Sequence, residues 1–466
     1  MPHLMGESMN RPPGPLGGRF AGNGPAYDQN RLEFMVRMSD RYGAIWSFDR
    51  HIVVVADPVL AGEVLTRTHT DFGAEVDFLH RRQKDDAETR QQWASSRAAR
   101  MRSLRPSSMH TRIPVIAAEL NGEISSWGKG EIDVVDRMRS LTARVGAVLS
   151  LGRDAHRVAG RGRELFDALT PVVSRPVSLP LSLPLPSHRR VVRANRRLER
   201  VIGQVLGARR GEGPRDAEDL LDVLMQPTAR HGALPDAIIR QTLAATLLAA
   251  ENTSAAGFGW TVHELARHPE LQDRVAAEAE AALPASGPLT HAHYERLDLT
   301  GRVVREALRL WPPNWMFARH ALHATSLGGY RLEPGTKVMV PAYVMQRDAR
   351  WFPDPSAFDP DRWLPDGSGG VAPQFAYLPF GAGPLICMGM AWSLIEMTLA
   401  TALLARAFRF ARSPAATVVP DPSRGLSPSG LRVRLTTRSD RNAPAGSPAT
   451  DRAGAGARCP VSGSTE

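Results

Sequence analysis

Only two of the 466 residues are cysteine, Cys387 and Cys459, and no CxxC pair exists. A disulfide framework is excluded, a reducing compartment suits the chain, and a zinc finger or ribbon has no ligand set. Cys459 lies in a polar Gly/Ala/Ser tail, which argues against a bridge to Cys387. Long apolar runs are also missing: stretches such as Leu243 to Ala250 are far too short to span a bilayer. Residues 1–24 are rich in Pro, Gly and polar side chains and hold no apolar h-region, so neither secretion nor a membrane anchor is expected. The expectation is a soluble, cytoplasmic protein. Lysine is scarce, and the formal charge of +10 comes almost entirely from arginine, which suits an acidic partner or surface. No nucleic-acid motif accompanies the charge, so nucleic acid is not an expected partner.

What is present reads as a globular chain. Hydrophobic residues make up 42% and charged residues 23%, the proportions of a folded protein. Length alone would allow two or three domains. Residues 1–24 read as a flexible lead-in, and 438–466, an Arg/Ala/Gly/Ser/Pro tail, as disordered. Between them, 30–42 reads as helix, 45–57 as paired short strands, and 59–66 as helix again. Residues 87–105 form a charged, helix-prone segment in which Trp93 and Arg97, four apart, share a face. That face suits either an amphipathic surface helix or a binding role. Residues 113–175 show helical patterns without evident chemistry. The prolines at 176, 180, 184 and 186 forbid a helix there, and a helix loaded with Arg189, Arg193, Arg196 and Arg200 follows.

A long helix is expected from Pro235 to His268. Leu243, Leu247, Phe258, Val262 and Leu265 give it a core stripe, beside which runs a second stripe of small residues, Thr246, Ala250, Thr253 and Gly257. Small residues let a neighbouring helix, or a flat rigid group, approach the backbone closely. Thr253 adds a hydroxyl that packing alone does not need.

The rest of the chain is organised around Phe380-Gly-Ala-Gly-Pro-Leu-Ile-Cys387-Met-Gly389. Gly381 and Gly383 permit backbone conformations closed to other residues. The apolar run Met390 to Leu404 lacks Pro and Gly and reads as helix. Cys387 is thus expected on a tight loop at a helix N-terminus, where backbone N–H groups and the helix dipole favour a thiolate. Such a thiolate can attack a substrate, bind a metal or ligate haem iron.

Phe-Gly-x-Gly-x-x-x-Cys-x-Gly resembles the haem-binding loop of the cytochrome P450 family. Four further patterns occur in that family's order. They are the Trp93/Arg97 helix; Ala249-Ala-Glu-Asn-Thr253-Ser254, similar to (Ala/Gly)-Gly-x-(Asp/Glu)-Thr-(Thr/Ser); Glu306-Ala-Leu-Arg309-Leu-Trp-Pro-Pro313; and Phe358-Asp-Pro-Asp-Arg362-Trp363. The framework resemblance covers residues 25–437. It implies one mainly α domain with a small β-rich part, and haem b (iron protoporphyrin IX) between the long helix and the cysteine loop.

The resemblance also implies roles. Cys387 would be the axial iron ligand, with Phe380, Gly381, Gly389 and Ala250 against the haem and Trp93, Arg97 and Arg319 toward its propionates. Glu306, Arg309 and Arg362 would serve structure behind the haem. Thr253 would hold a water where dioxygen is reduced, and Phe78, Leu79, Leu247, Trp315, Met316 and Phe317 would wall the substrate. There are two departures from the family pattern. Leu385 stands where Arg or His usually faces a propionate, and Asn252 stands at the acid position, where an amide cannot relay a proton. Glu251, the nearest carboxylate, is about 200° round the helix from Thr253.

The implied activity is monooxygenation of a small apolar molecule by a monomer, a terpenoid of secondary metabolism being one example. No flavin, nicotinamide or iron–sulfur motif is present, so electrons would come from a ferredoxin and its reductase. Asn252 leaves a peroxide-dependent or rearrangement reaction open. Leu385 leaves open a non-catalytic homologue that stabilises a partner enzyme.

Overall fold

The computed structural model describes residues 11–17, 22–74, 87–173, 181, 183–213, 219–227, 232–365, 372–423 and 425–438. Helices dominate, and their boundaries follow local chemistry. Helix Arg31–Tyr42 begins where the Asn30 side chain accepts from the Glu33 N–H and stops at Gly43, whose φ is 85°. Helix Pro58–Thr66 begins at Asp57, which accepts from the N–H groups of Val59 and Leu60. Proline at the first helical position sacrifices no hydrogen bond there.

The largest sheet draws on distant parts of the chain. Ile45–Asp49 pairs antiparallel with Ile52–Val55, which runs parallel to Lys337–Val340. Phe317–Ala321 then pairs antiparallel with Lys337–Val340, and Phe72–Gly73 completes the edge. The lead-in expected over 1–24 is anchored in part. The Ser47 N–H donates to the Pro13 carbonyl at 2.7 Å and the Ser47 hydroxyl to that of Pro12 at 2.8 Å, holding 11–17 on the first strand. Apart from Arg438, the expected tail lies outside the described residues. Separately, Gly130–Asp133, Arg432–Thr437 and Phe408–Arg412 form a three-stranded sheet. The terminal hairpin pairs Val419–Asp421 with Ser427–Ser429.

The long helix runs Asp236–Arg267 and passes through two apolar clusters. Ile239, Leu243 and Leu247 pack with helices Arg161–Val173 and Pro186–Gly211. Phe258, Val262 and Leu265 pack with helix Met390–Ala407, the element that follows Cys387. A Cβ on Gly257 would lie 2.7 Å from the Met397 sulphur, so this end of the small-residue stripe serves close helix packing. Between the clusters the helix opens. Ala249 and Thr253, four apart on one face, are exposed although the helix around them is buried. Among the described residues no helix is long and apolar enough to cross a membrane.

Candidate active site

The cysteine loop is a sequence of tight local bonds. The Gly381 N–H donates to the Leu378 carbonyl at 3.1 Å, Ile386 to Gly383 at 3.0 Å, and Cys387 back to Phe380 at 2.9 Å. Gly381 and Gly383 both have φ of 69°. A Cβ at Gly383 would sit 2.1 Å from the Leu65 carbonyl oxygen, so only glycine lets the loop rest on helix Pro58–Thr66. Phe380 and Gly381 are half-buried beside the loop, and Gly389 caps helix Met390–Ala407. Among the described residues no group of three or more His, Cys, Asp or Glu is placed to hold a metal ion.

The Cys387 sulphur reaches solvent-sized space, yet most of its surroundings are protein. Withdrawal from water pushes the thiol up, against the Gly389 N–H and the Arg97 charge, which favour the anion. The helix-terminal N–H thus acts in the expected direction, and burial opposes it. Deprotonation here needs a further positive charge, such as a bound metal supplies.

Two guanidinium groups of the candidate set have no carboxylate partner among the described residues, and Arg97 is the one shown beside Cys387. Arg97, on helix Ala87–Ser103, donates to the Ile386 carbonyl at 3.0 Å, one residue before Cys387. Arg319, 7% exposed on its strand, donates to the Thr68 hydroxyl at 3.0 Å and to the Ala318 carbonyl. Burial lowers the pKa of both. A buried charge without a counter-charge is costly, so an anionic group at each position would repay the desolvation already incurred. Trp93 is half-buried on the same helix as Arg97, and Leu385 is half-buried in the loop, where it offers no donor to an anion.

The long helix has its own open face at Ala249 and Thr253. Thr253 donates its hydroxyl to the Ala249 carbonyl at 3.1 Å, which leaves its oxygen lone pairs facing the opening. Ala250 is half-buried, packed close to Gly146 of helix Val134–Leu151 and to Trp392. Asn252 is buried, with its amide nitrogen 3.8 Å from the position a Cβ on Gly425 would take, at the tip of the terminal hairpin. Glu251 is fully buried on the far side, 3.6 Å from Arg139. Burial pushes its carboxyl up to about 7, opposed by Arg139. As a catalytic candidate it is displaced, because it turns toward helices Val134–Leu151 and Arg161–Val173 and away from Thr253. The two walls are tied together one residue beyond Thr253, where the Ser254 hydroxyl donates to Ser393 at 3.1 Å.

Behind the loop, Glu306 accepts both Arg309 N–H groups at 2.9 and 2.8 Å, Arg362 at 3.3 Å, the Trp363 indole at 3.0 Å and the Asp359 N–H at 3.1 Å. Gln346, which carries no recognisable signal in the sequence, extends this network. Its amide donates to the carbonyls of Leu308 and Arg309, and its oxygen accepts the Leu378 N–H at 2.7 Å, where the cysteine loop begins.

The substrate-wall candidates divide. Met316 and Phe317 are half-buried, and the Phe317 ring lies 3.1 Å from the position of a Cβ on Gly381. Leu247 is buried in the helical core with Leu243 and Ile239. Trp315 is buried as well, being 7% exposed, packed against Trp46 and Phe48, and bonded to the Pro422 carbonyl. Phe78 and Leu79 lie outside the described residues.

A family model described as Cytochrome P450 matches residues 12–432. Cyclooctatin synthase from Streptomyces melanosporofaciens is 33% identical over 357 residues, 73% of this chain and 76% of that protein. Cyclooctat-9-en-7-ol 5-monooxygenase from the same organism is 34% identical over 312 residues, 65% of this chain and 67% of that protein. Pentalenene oxygenase from Streptomyces avermitilis is 36% identical over 235 residues, 49% of this chain and 51% of that protein. Among solved structures, the retinoic acid bound cyanobacterial CYP120A1 superposes with a TM-score of 0.78 over 92% of this chain and 100% of that one, at 23% identity. That likeness speaks for the fold.

Proposed function

The chain belongs to the cytochrome P450 family, and from that premise we propose a haem-thiolate monooxygenase that places one oxygen atom from O2 into a small apolar substrate. The observation that carries this reading is the opening itself. Cys387 is exposed on its loop, Thr253 is exposed on an otherwise largely buried stretch of the long helix, and the two helices that carry or follow them are joined by the Ser254–Ser393 contact.

The donor set fits haem b. Cys387 would hold the iron, and Arg97 and Arg319 would meet the propionates. Bound there, the cofactor supplies the reduction and splitting of O2. The protein does the rest. Thr253 Oγ1 holds a water on the open face, because its own proton is committed to Ala249 and its lone pairs are free. Met316 and Phe317 keep the approach apolar, and Asn252 positions without relaying protons. Relatives named for pentalenene and cyclooctat-9-en-7-ol support a terpenoid-like substrate and a place in secondary metabolism. We take the electron donors to be a separate ferredoxin and reductase, and the enzyme to work as a cytoplasmic monomer.

The test is the spectrum of the reduced protein under carbon monoxide, followed by turnover of a terpenoid panel with ferredoxin, reductase and NADPH. A long-wavelength Soret band with oxygenated product supports the reading. Protein without haem, or a band at the position of a neutral ligand, refutes it. Asn252 favours a second reading, in which hydrogen peroxide replaces both O2 and the reductase. Product formed with peroxide but not with the electron-transfer proteins would select it.

Two substitutions probe the parts separately. Thr253→Ala should leave stability within about 0.5 kcal/mol, since it removes an exposed hydroxyl bonded only to its own helix. Coupled product per NADPH should nevertheless fall by roughly 100-fold, the lower end of what positioned proton transfer contributes. Arg319→Gln should behave in the opposite way. The haem-free protein should be at least as stable as wild type, because a buried charge is gone, while haem retention on gel filtration should weaken about tenfold through loss of one charge-assisted bond.

A further inference from the structure

The arginines that load helix Pro186–Gly211 have no part in the scheme above. Some are neutralised within the chain: Arg197 pairs with Glu164, Arg209 with Asp154, Asp219 and Asp222, and Arg210 with Asp236. Arg189, Arg193, Arg196 and Arg200 are different. All are exposed, and none meets a carboxylate among the described residues. Steps of four, three and four residues hold them within an arc of about 60° and along about 16 Å of the helix. The opposite face, with Val191, Leu198, Ile202 and Val205, is buried in the helical core. Like charges three and four residues apart repel. A hydrogen bond within the row, from Arg193 Nε to the Arg189 carbonyl at 3.2 Å, leaves those charges uncompensated. The row therefore weakens the free helix.

We propose that this row docks an acidic helix of a second protein, one other than the electron donor. A guanidinium takes a carboxylate through two parallel N–H bonds. Glutamates at the same spacing on a partner helix would meet the arginines in turn and lift their mutual repulsion. A bilayer is a poorer occupant. A helix lying on lipid turns an apolar face to the acyl chains, whereas the apolar face here is spent on the core. No large hydrophobic side chain of this helix is exposed. The electron donor is a poorer occupant too. The row's helix belongs to one apolar cluster, with Leu243 and Leu247 of the long helix, and the helix that follows Cys387 belongs to the other. The inference stands on charge and spacing, independently of the oxygenase reading.

The probe is an alanine-rich helical peptide with glutamates spaced as the arginines are. Its control is a peptide of the same composition with the glutamates spread round the helix. Fluorescence anisotropy with the full chain should show saturable binding of the first, lost as salt is raised, and clearly weaker binding of the second. Each of Arg189→Gln, Arg193→Gln, Arg196→Gln and Arg200→Gln should weaken binding by up to about fivefold, the reach of an exposed ion pair. All four together should abolish it. That combined variant should unfold at the same urea concentration as wild type or a higher one, because the repulsion is gone, so lost binding cannot be laid to misfolding. Reversing the row to glutamate should transfer binding to a peptide that carries arginines at the same spacing. Reduction by ferredoxin and its reductase should be unchanged throughout. Equal binding of the two acidic peptides would reveal diffuse attraction and sink the proposal. So would tighter, row-dependent binding of phosphatidylglycerol vesicles or of a DNA duplex, or slower reduction by ferredoxin in the combined variant, which would hand the row to the electron donor.

Discussion

Replacing Glu306 with Ala should cost about 3–5 kcal/mol of folding stability, the toll of leaving a buried ion unpaired. Arg309 is as fully buried as Glu306, and both of its donors to that carboxylate would lose their acceptor. The Trp363 indole and the Asp359 N–H would lose theirs in the same step. Each orphaned donor carries its own desolvation penalty, which places the effect at the upper end of the range. The damage should also travel. Arg309 donates to the Gln346 carbonyl, and Gln346 holds the Leu378 N–H that opens the cysteine loop. Urea unfolding of the variant should therefore show a reduced midpoint together with weaker haem retention. A double replacement, Glu306→Leu with Arg309→Met, removes both charges and should recover most of the loss. A single Glu306→Ala variant within 1 kcal/mol of wild type would show that the network is ornamental.

The parts of this architecture legible in the sequence are those whose chemistry is local. The cysteine loop is written in two glycines that must adopt positive φ and in a helix lacking breakers, so its geometry follows from ten residues. Glu306 and Arg309 are three apart on one helix and meet as that spacing requires. The orientation of Glu251 also follows from helical rotation alone. What the sequence hides is the neighbour across the gap. Leu247 lies near Thr253 along the helix, but which face the Arg161–Val173 and Pro186–Gly211 helices cover is decided by packing, and they cover Leu247. Trp315 stands beside Met316 and is buried in the cluster that holds Trp46 and Phe48, a packing that local sequence does not reveal. Gln346 gains its role only from distant carbonyls. A helix terminus is visible in sequence, whereas the depth of protein around the Cys387 thiol is not.

Cys387→Ser should abolish monooxygenation while leaving the fold in place. Serine matches the shape of cysteine, and the bond that fixes this position runs from its backbone N–H to the Phe380 carbonyl, which a side-chain exchange leaves intact. Gly381 and Gly383 keep their conformations, and the Ser254–Ser393 clamp lies six residues beyond the exchange. Urea unfolding should thus agree with wild type within about 0.5 kcal/mol, as for other substitutions that break no buried contact. The chemistry should not survive. A serine hydroxyl holds its proton far more tightly than a thiol, and the Gly389 N–H and Arg97, which only partly offset burial for cysteine, cannot ionise it. Any haem retained would lose the electron-donating sulphur that promotes O2 splitting. The carbon-monoxide band should move from its long-wavelength position to that of a neutral ligand, and substrate oxidation should fall below detection. Should the serine variant keep the long-wavelength band, the ligand would have to be sought elsewhere, and Cys387 would revert to an inert loop cysteine.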